Sequence, residues 1–296
     1  MHREQFHARL SEFDRKQVNT VLWTVYWRGP AALRQRIETA LDAVEQGTRP
    51  TKPTPPPVDP AHIRAEVEQF VALARSGAYM GRDRRVSPRE RTRWRFTFAR
   101  LAADAQRALR TPDPSDAITA VEQLIDCACE TADTDYFRSE DPVEAARFVV
   151  SDVVALLWAT MREHLGFVEF ARRAAPQLIR WESRHGWTRV GWGRVSEKET
   201  SLATVLVEML QAPDAWLTFA DAYLDALDDS VSGRRWTRGS KEWRTDALAE
   251  WNALLLDRLV DNDDEDRLHR LVNHPAIAAP GRRDLKARMT SRRGED

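Results

Sequence analysis

The sequence has few cysteines and no long apolar run. Two cysteines in 296 residues are too few for the disulfide framework of a small secreted protein. The longest apolar stretch, around residues 148–161, is interrupted by Asp152, whereas a membrane-spanning helix needs about 20 consecutive apolar residues. The N-terminal residues also lack the apolar segment of a secretion signal. These absences predict a cytoplasmic protein that does not bind membranes.

Net charge of either sign is also lacking. The formal net charge is −1 at pH 7, so there is no overall attraction toward nucleic acid or anionic lipid. An electrostatic partner must therefore be recognised by a local patch. Arginine supplies 40 of the 45 basic residues. We interpret that skew as a reflection of genomic base composition, so arginine richness alone does not indicate a function.

Motifs of the common enzyme classes are missing. The chain has no glycine-rich phosphate loop, no G-x-S-x-G elbow and no set of cysteines and histidines with zinc spacing. The acidic run 261–266 lacks the glycine and the glutamate of a calcium loop. Cys127 and Cys129 lie two apart on a predicted helix and point about 200° apart, so we expect core positions for them. No cofactor is predicted.

One weak pattern resembles a metal site. A carboxylate three residues before a histidine places both side chains on one helix face, as in dimetal helical bundles. The pairs are Glu4/His7, Glu182/His185 and Asp266/His269. A dimetal oxidase would bring His185 and His269 together in the core, with Asp152 and Glu208 as further inward carboxylates. With 46 acids in the chain such pairs also arise by chance, so this is the least favoured hypothesis.

Proline marks a boundary between domains. Residues 48–60 hold six of the fifteen prolines and predict an extended linker. Ahead of it, residues 1–47 predict a small N-terminal helical module in which Asp14 caps a helix. Because so small a module has a marginal core, we expect it to pack on the main body or on a partner. Residues 61–296 form the predicted main all-helical domain.

The main domain is predicted to be all-α, because its apolar residues recur with the period of a helix. Two capping boxes, Ser87 with Glu90 and Ser196 with Glu199, mark helix starts. A hairpin or ordered loop is predicted at 187–195, and a frayed tail after 273. A weak repeat of 54 residues suggests stacked helix pairs, with a chance match as the equal alternative. The predicted architecture is a multi-helix bundle or a short α-solenoid of antiparallel helix pairs. The predicted helices span 61–76, 88–110, 115–132, 142–165, 167–185, 197–211, 213–229, 241–260 and 264–273.

The helix over 88–110 is amphipathic and has a basic outer face. Its apolar face carries Trp94 and Phe98, whereas Phe96 lies among the arginines of the opposite face. We weigh two interpretations: a solvated face with Phe96 covered by another helix, or a surface for single-stranded nucleic acid. A loop at 233–240 adds further arginines around a tryptophan. The predicted binding residues are Arg84, Arg85, Arg89, Arg93, Phe96, Arg100, Arg234, Arg235, Trp236 and Arg238.

Acids dominate the stretch that precedes this loop. Residues 199–233 contain seven acids and no lysine or arginine. Asp214, Asp221, Asp225 and Asp228 share one face of the predicted helix over 213–229. This face is expected to be solvated, with docking of a basic partner or of the arginine stripe as the alternative.

Taken together, these patterns favour a non-catalytic scaffold or adaptor whose partner is another protein. The chain has eleven tryptophans, several beside arginine, and this pairing is typical of interface hot spots. The alternatives are a nucleic-acid-binding protein that uses the arginine surface and, less favoured, a dimetal-carboxylate oxidase.

Overall fold

All regular structure in the described part of the chain is α-helical, which confirms the predicted all-α fold class. The computed structural model describes residues 3–45, 58–80, 83–131, 142–185, 193–232 and 248–294. The chain divides into two compact units, Met1–Pro57 and Val58–Asp296. Within the described ranges, no helix is long and apolar enough to cross a membrane.

The first unit contains three short helices, α1 (Arg3–Ser11), α2 (Arg15–Arg28) and α3 (Ala31–Glu45). The predicted cap Asp14 starts α2: its carboxylate accepts the Gln17 N–H at 2.7 Å, and the Gln17 side chain accepts the Asp14 N–H at 2.9 Å. This reciprocal capping box satisfies two amides that the helix itself leaves unbonded. The Tyr26 hydroxyl donates to the Glu38 carboxylate and so connects α2 with α3.

The second unit begins at the end of the predicted linker, where Asp59 caps a helix that starts at Pro60. Residues 48–57 of that linker lie outside the described residues. Ser87 with Glu90 forms the predicted capping box of the next helix. The helices of this unit are α4 (Pro60–Arg75), α5 (Pro88–Ala108), α6 (Ser115–Glu130), α7 (Pro142–Ala146), α8 (Val150–Leu165), α9 (Phe167–His185), α10 (Leu202–Met209), α11 (Pro213–Ser232), α12 (Ala249–Asp261), α13 (Glu265–Asn273) and α14 (Ala279–Gly294).

The helices α4, α6, α9, α11 and α13 form a first row in which successive members are in contact. Ion pairs show that α4 and α6 run parallel, because they connect the two helices at matching heights. Arg64 binds Asp116 at 2.9 Å near the start of α4 and α6, and Arg75 binds Glu130 at 2.7 Å near their ends. A second row is formed by contacts of α5 with α8, of α8 with α10 and of α12 with α14. Stacked helix pairs of this kind are the elements of an α-solenoid.

The 54-residue repeat falls on α4, α6 and α9, three successive members of the first row. Phe70, Leu124 and Leu178 occupy the same place in the three copies, and all are buried. The core between the rows also contains Cys127 and Cys129, both buried as predicted. Equivalent positions therefore contribute equivalent core side chains.

Tryptophans fill the centre of this core. Trp158 is fully buried, and its indole N–H donates to the Gln177 side-chain oxygen at 2.8 Å. Trp251 is also fully buried and stacks on Trp216 with ring centroids 5.6 Å apart. In contrast to Trp158, the indole N–H of Trp251 has no hydrogen-bond partner among the described residues.

Several predicted boundaries were wrong. The helix predicted over 142–165 is split into α7 and α8 at Arg147, whose φ of 55° cannot continue a helix. The helix predicted from 197 starts at Leu202, because Ser201 and not Ser196 provides the cap. The tail is not frayed after 273: α14 packs on α12, where Arg288 binds Asp257 at 2.6 Å.

Pro176 lies inside α9, which continues beyond it to His185. Residues 187–192 of the predicted hairpin or loop lie outside the described residues, and those that follow form turns.

Candidate interaction surfaces

Two stacked tryptophans project from α2. Trp23 and Trp27 lie one turn apart, with ring centroids separated by 5.8 Å, and they are 60% and 68% exposed. Lys16 and Thr20 precede them at helical spacing, so the four side chains form one stripe along α2. We call this stripe the Trp23/Trp27 face. It was not predicted as a site, although a helical wheel of residues 15–28 places both rings opposite Val18 and Leu22.

The described side chains of the first unit include many exposed apolar ones. None of the described side chains of α1–α3 is buried, yet the first unit holds eight of the twelve large hydrophobic residues that are exposed in the described chain. Exposed large apolar side chains in such number are typical of a module that binds something. The eight are Phe13, Val21, Leu22, Trp23, Val25, Trp27, Leu41 and Val44.

The second surface lies at the start of α5, where the structure places the predicted arginines. All the predicted residues described there are exposed: Arg84, Arg85, Arg89, Arg93, Phe96 and Arg100. The other four, Arg234, Arg235, Trp236 and Arg238, lie outside the described residues. Within α5, helical spacing places Arg89, Arg93, Phe96 and Arg100 on one face, and Arg84 and Arg85 precede the helix. We call Arg84, Arg89, Arg93, Arg95 and Phe96 the α5 arginine surface.

The arginines of this region differ in what they bind. Arg100 binds Glu66 at 3.1 Å and Asp104 at 3.3 Å, so its charge is compensated. Arg85 binds Asp83, and this hydrogen-bonded contact lowers the pKa of Asp83 to about 2. By contrast, the four arginines of the α5 arginine surface make no ion pair with a described residue. Their charges remain available to a ligand.

The ring of Phe96 is exposed among these arginines. It is 63% exposed, so the expectation that another helix covers it is wrong for the described part of the chain. The guanidinium carbon of Arg95 lies 4.9 Å from the Phe96 ring centroid. A flat aromatic surface beside free guanidinium groups is therefore open to solvent.

The acidic face of α11 is not a free docking surface. Asp221 binds Arg267 at 2.6 Å, and Asp225 binds Arg270 at 2.8 Å. Asp228 binds Arg270 as well, and it accepts a hydrogen bond from buried His274 at 2.9 Å. Helix α13 and the residue that follows it thus neutralise three of the four predicted acids within the same unit.

The contacts of Asp228 with Arg270 and His274 predict that its contribution to the free energy of unfolding depends on pH. The hydrogen bonds from Arg270 and His274 lower the pKa of Asp228. A carboxylate whose folded pKa lies below its unfolded value, near 4, stabilises the protein above that value and loses the contribution as the pH falls through the folded pKa. We therefore expect Asp228→Asn to cost less than about 1 kcal/mol at pH 7, since the side chain is half exposed, and progressively less as the pH falls through the folded pKa of Asp228.

Urea unfolding of wild type and Asp228→Asn at several pH values measures this difference. The Asp214→Asn variant is the control, because Asp214 is exposed on the same helix and makes no ion pair with a described residue. A constant difference between Asp228→Asn and wild type across the pH range would contradict the linkage.

The metal candidates do not converge in the described structure. Glu182 is buried, and its carboxylate accepts the Leu202 N–H at 2.8 Å, where it holds the start of α10. Asp266 and His269 are exposed on α13, so His269 is not in the core. The side chain of His185 lies outside the described part. Two further expectations were wrong: Asp152 and Glu208 are exposed and do not point inward.

No metal cluster emerges from the described residues, and the cleft between α10, α11 and α12 is small. No group of three potential metal ligands occurs among them. A cleft of about 220 Å³ lies where α10, α11 and α12 meet, lined among others by Leu210, Trp216 and Arg258. This volume is below the 300–1,000 Å³ or so of small-molecule pockets.

Comparison with known proteins adds no further assignment. No protein-family model matches the chain, and no curated protein or solved structure is significantly similar to it. The exposed surfaces themselves are therefore the basis for a functional inference.

Proposed function

We propose that the protein is a non-catalytic helical scaffold that binds another protein through the Trp23/Trp27 face. The observation that carries the proposal is the exposure of Trp23 and Trp27 on helices that bury none of their described side chains. A module of this size gains little stability from its own core. Covering the two rings with a partner surface supplies the missing apolar burial.

The geometry of the two rings suits an interface anchor. Tryptophan is among the residues most enriched at interface hot spots, where truncation typically costs 2 kcal/mol or more. Trp23 and Trp27 are already stacked on each other in the free chain. Such preorganisation lowers the entropy that must be lost on binding.

The charges of α2 indicate the character of the partner groove. Arg15, Lys16 and Arg28 flank the two rings, and α2 contains no acidic residue. Complementary charge around an apolar contact favours the correct encounter and disfavours basic partners. The partner is expected to offer an apolar groove with carboxylates at its rim, in the way that an amphipathic helix is held in a groove.

The second unit supports the scaffold part of the proposal. Its parallel rows of helices are joined by ion pairs between neighbouring members, such as Arg173 with Glu122 at 2.7 Å. Arrays of stacked helix pairs often serve as extended binding platforms. Such an array offers an extended surface within the second unit itself.

The test uses the Trp23→Ala/Trp27→Ala double variant of the full chain. Because both rings are exposed, we expect its unfolding midpoint to match that of the wild type. Proteins enriched with the wild-type chain from the cells that make it are compared by quantitative mass spectrometry with those enriched by the double variant. We expect a defined partner to be lost at least tenfold.

Phe96→Ala is the matched control, since it removes an equally exposed ring from the other unit. The purified partner must then bind wild type and Phe96→Ala alike and must bind the double variant at least tenfold more weakly. Light scattering at several concentrations checks whether the partner is a second copy of this chain. Identical partner profiles for all three proteins would rule the proposal out.

A further inference from the structure

We propose that the α5 arginine surface binds single-stranded nucleic acid, at a site separate from the Trp23/Trp27 face. The surface lies entirely in the second unit, and no residue of α2 takes part in it. Phosphates would be held by Arg84, Arg89 and Arg93, while a base would stack on Phe96. The inference therefore stands or falls independently of the proposed protein contact.

The first argument is the concentration of unpaired cations. Elsewhere in the second unit, many arginines are bound to acids of neighbouring helices, as Arg267 is to Asp221 at 2.6 Å and Arg288 to Asp257 at 2.6 Å. Between residues 83 and 96, the acids are Asp83, which binds Arg85, and Glu90, which caps α5 through Ser87. Four arginines remain uncompensated within a few turns of chain.

The second argument is that this arrangement opposes local stability. A helix N-terminus carries partial positive charge, so cations in the first turns are unfavourable there. Arg89 occupies the first turn of α5, and Arg93 the turn that follows. Charges that repel the helix end and one another gain a favourable interaction when an anion binds. Residues that lower local stability, like these arginines at the positive end of a helix, commonly mark a functional site.

The third argument is the position of Phe96. On a helix, Arg89, Arg93 and Phe96 are spaced i, i+4 and i+7, so the ring and both guanidinium groups share one face. At 1.5 Å of rise per residue the three span about 10 Å. Single-strand binding sites combine a cationic track for the backbone with an aromatic ring on which a base stacks.

The composition of the surface decides among anionic partners. A membrane would require a wide apolar face, whereas Phe96 is the single large exposed apolar residue described between residues 83 and 131. An acidic protein surface would form ion pairs with the arginines, but it has no flat group that stacks on the Phe96 ring. Single-stranded nucleic acid uses both the cations and the ring. Paired bases would be unavailable for stacking, so a duplex is expected to bind more weakly.

The test measures fluorescence anisotropy of labelled oligothymidylate and oligouridylate of about 16 nucleotides with the full chain. The Arg84→Gln/Arg89→Gln/Arg93→Gln variant is expected to bind at least tenfold more weakly. Loss of three phosphate contacts should also reduce the slope of log affinity against log salt by about 2, at roughly 0.7 per contact. Binding of either strand, DNA or RNA, supports the proposal and identifies the preferred sugar.

The control replaces Arg110, Arg147 and Arg283 by glutamine. These arginines are exposed and make no ion pair with a described residue, so the change in net charge is the same away from the surface. The control is expected to bind like wild type. An equal loss in both triple variants would show nonspecific charge attraction and would overturn the proposal.

Substitutions of Phe96 test the stacking contribution to affinity, because they leave the charge of the surface unchanged. Phe96→Leu keeps an apolar side chain but removes the ring, and we expect about tenfold weaker binding, whereas Phe96→Tyr should bind like wild type. Polyglutamate is the probe for an acidic protein partner. If polyglutamate displaces the oligonucleotide at equal charge concentration and Phe96→Leu changes nothing, the surface recognises acidic protein and the proposal is wrong. Failure of the wild type to bind either oligonucleotide at low salt also overturns it.

Discussion

Alanine in place of Trp158 is expected to lower the free energy of unfolding by about 3–5 kcal/mol, the usual cost of truncating a buried tryptophan. Trp158 is fully buried between α8 and α9. Its indole N–H donates to Gln177, whose amide in turn donates to Glu122 on α6 at 2.7 Å. The substitution therefore opens a cavity and also breaks a hydrogen-bond chain across three helices. Urea unfolding at neutral pH measures the loss.

Substitution by phenylalanine separates the cost of the cavity from the cost of the lost hydrogen bond. Trp251 offers the matched control. Trp158→Phe leaves the buried Gln177 oxygen without its donor, which costs about 1–3 kcal/mol in addition to lost volume. Trp251 is equally buried, but its N–H has no hydrogen-bond partner among the described residues. Trp251→Phe should therefore cost less than Trp158→Phe by about that amount. Equal costs at the two positions would show that the hydrogen bond contributes nothing.

Glu199→Ala is expected to destabilise the protein by about 2–3 kcal/mol through loss of the cap of α8. The Glu199 carboxylate accepts the Val150 N–H at 2.7 Å, the Ser151 N–H at 3.0 Å and the Ser151 hydroxyl at 2.6 Å. Val149, which precedes the helix, has no side chain able to cap it. Charge-assisted bonds at the positive end of a helix are among the stronger ones.

Glu197→Ala is the control for this prediction. Glu197 lies two residues away, is exposed, and its side chain makes no hydrogen bond or ion pair with a described residue. We expect Glu197→Ala to change the unfolding free energy by less than about 0.5 kcal/mol. Glu199→Gln should fall between the two, since the amide oxygen still accepts one hydrogen bond without charge. The same unfolding midpoint for Glu199→Ala and Glu197→Ala would refute the capping role.

The case of Glu199 also shows where reading the sequence fails. Ser196 and Glu199 have the spacing of a capping box, and the spacing alone predicts a helix that starts there. The structure instead begins α10 at Leu202, with Ser201 as its cap, and Glu199 caps α8. The local spacing indicates that a carboxylate is available to cap the start of a helix. It does not record which helix end lies nearest in space.

Predictions that depend only on helical period succeeded. The apolar face of α5, including Trp94, Phe98 and Leu101, is buried as the wheel indicates. The pairing of α11 with α13 was not predictable, because it depends on which helices become neighbours. For the same reason, the wheel of α2 places Trp23 and Trp27 together but cannot reveal that α1 and α3 leave both rings exposed.

The contact between Glu199 and α8 also determines when α8 can be completed during synthesis of the chain. The carboxylate that completes the start of α8 lies 49 residues after Val150 in the chain. At 5–20 residues added per second, the ribosome delivers Glu199 roughly 2–10 s after Val150. During that interval the first amides of α8 have only water as a partner. The emerging chain can stack α4, α5 and α6 from its own segments, whereas α8 receives its cap only after α9 and the turns beyond it have been synthesised.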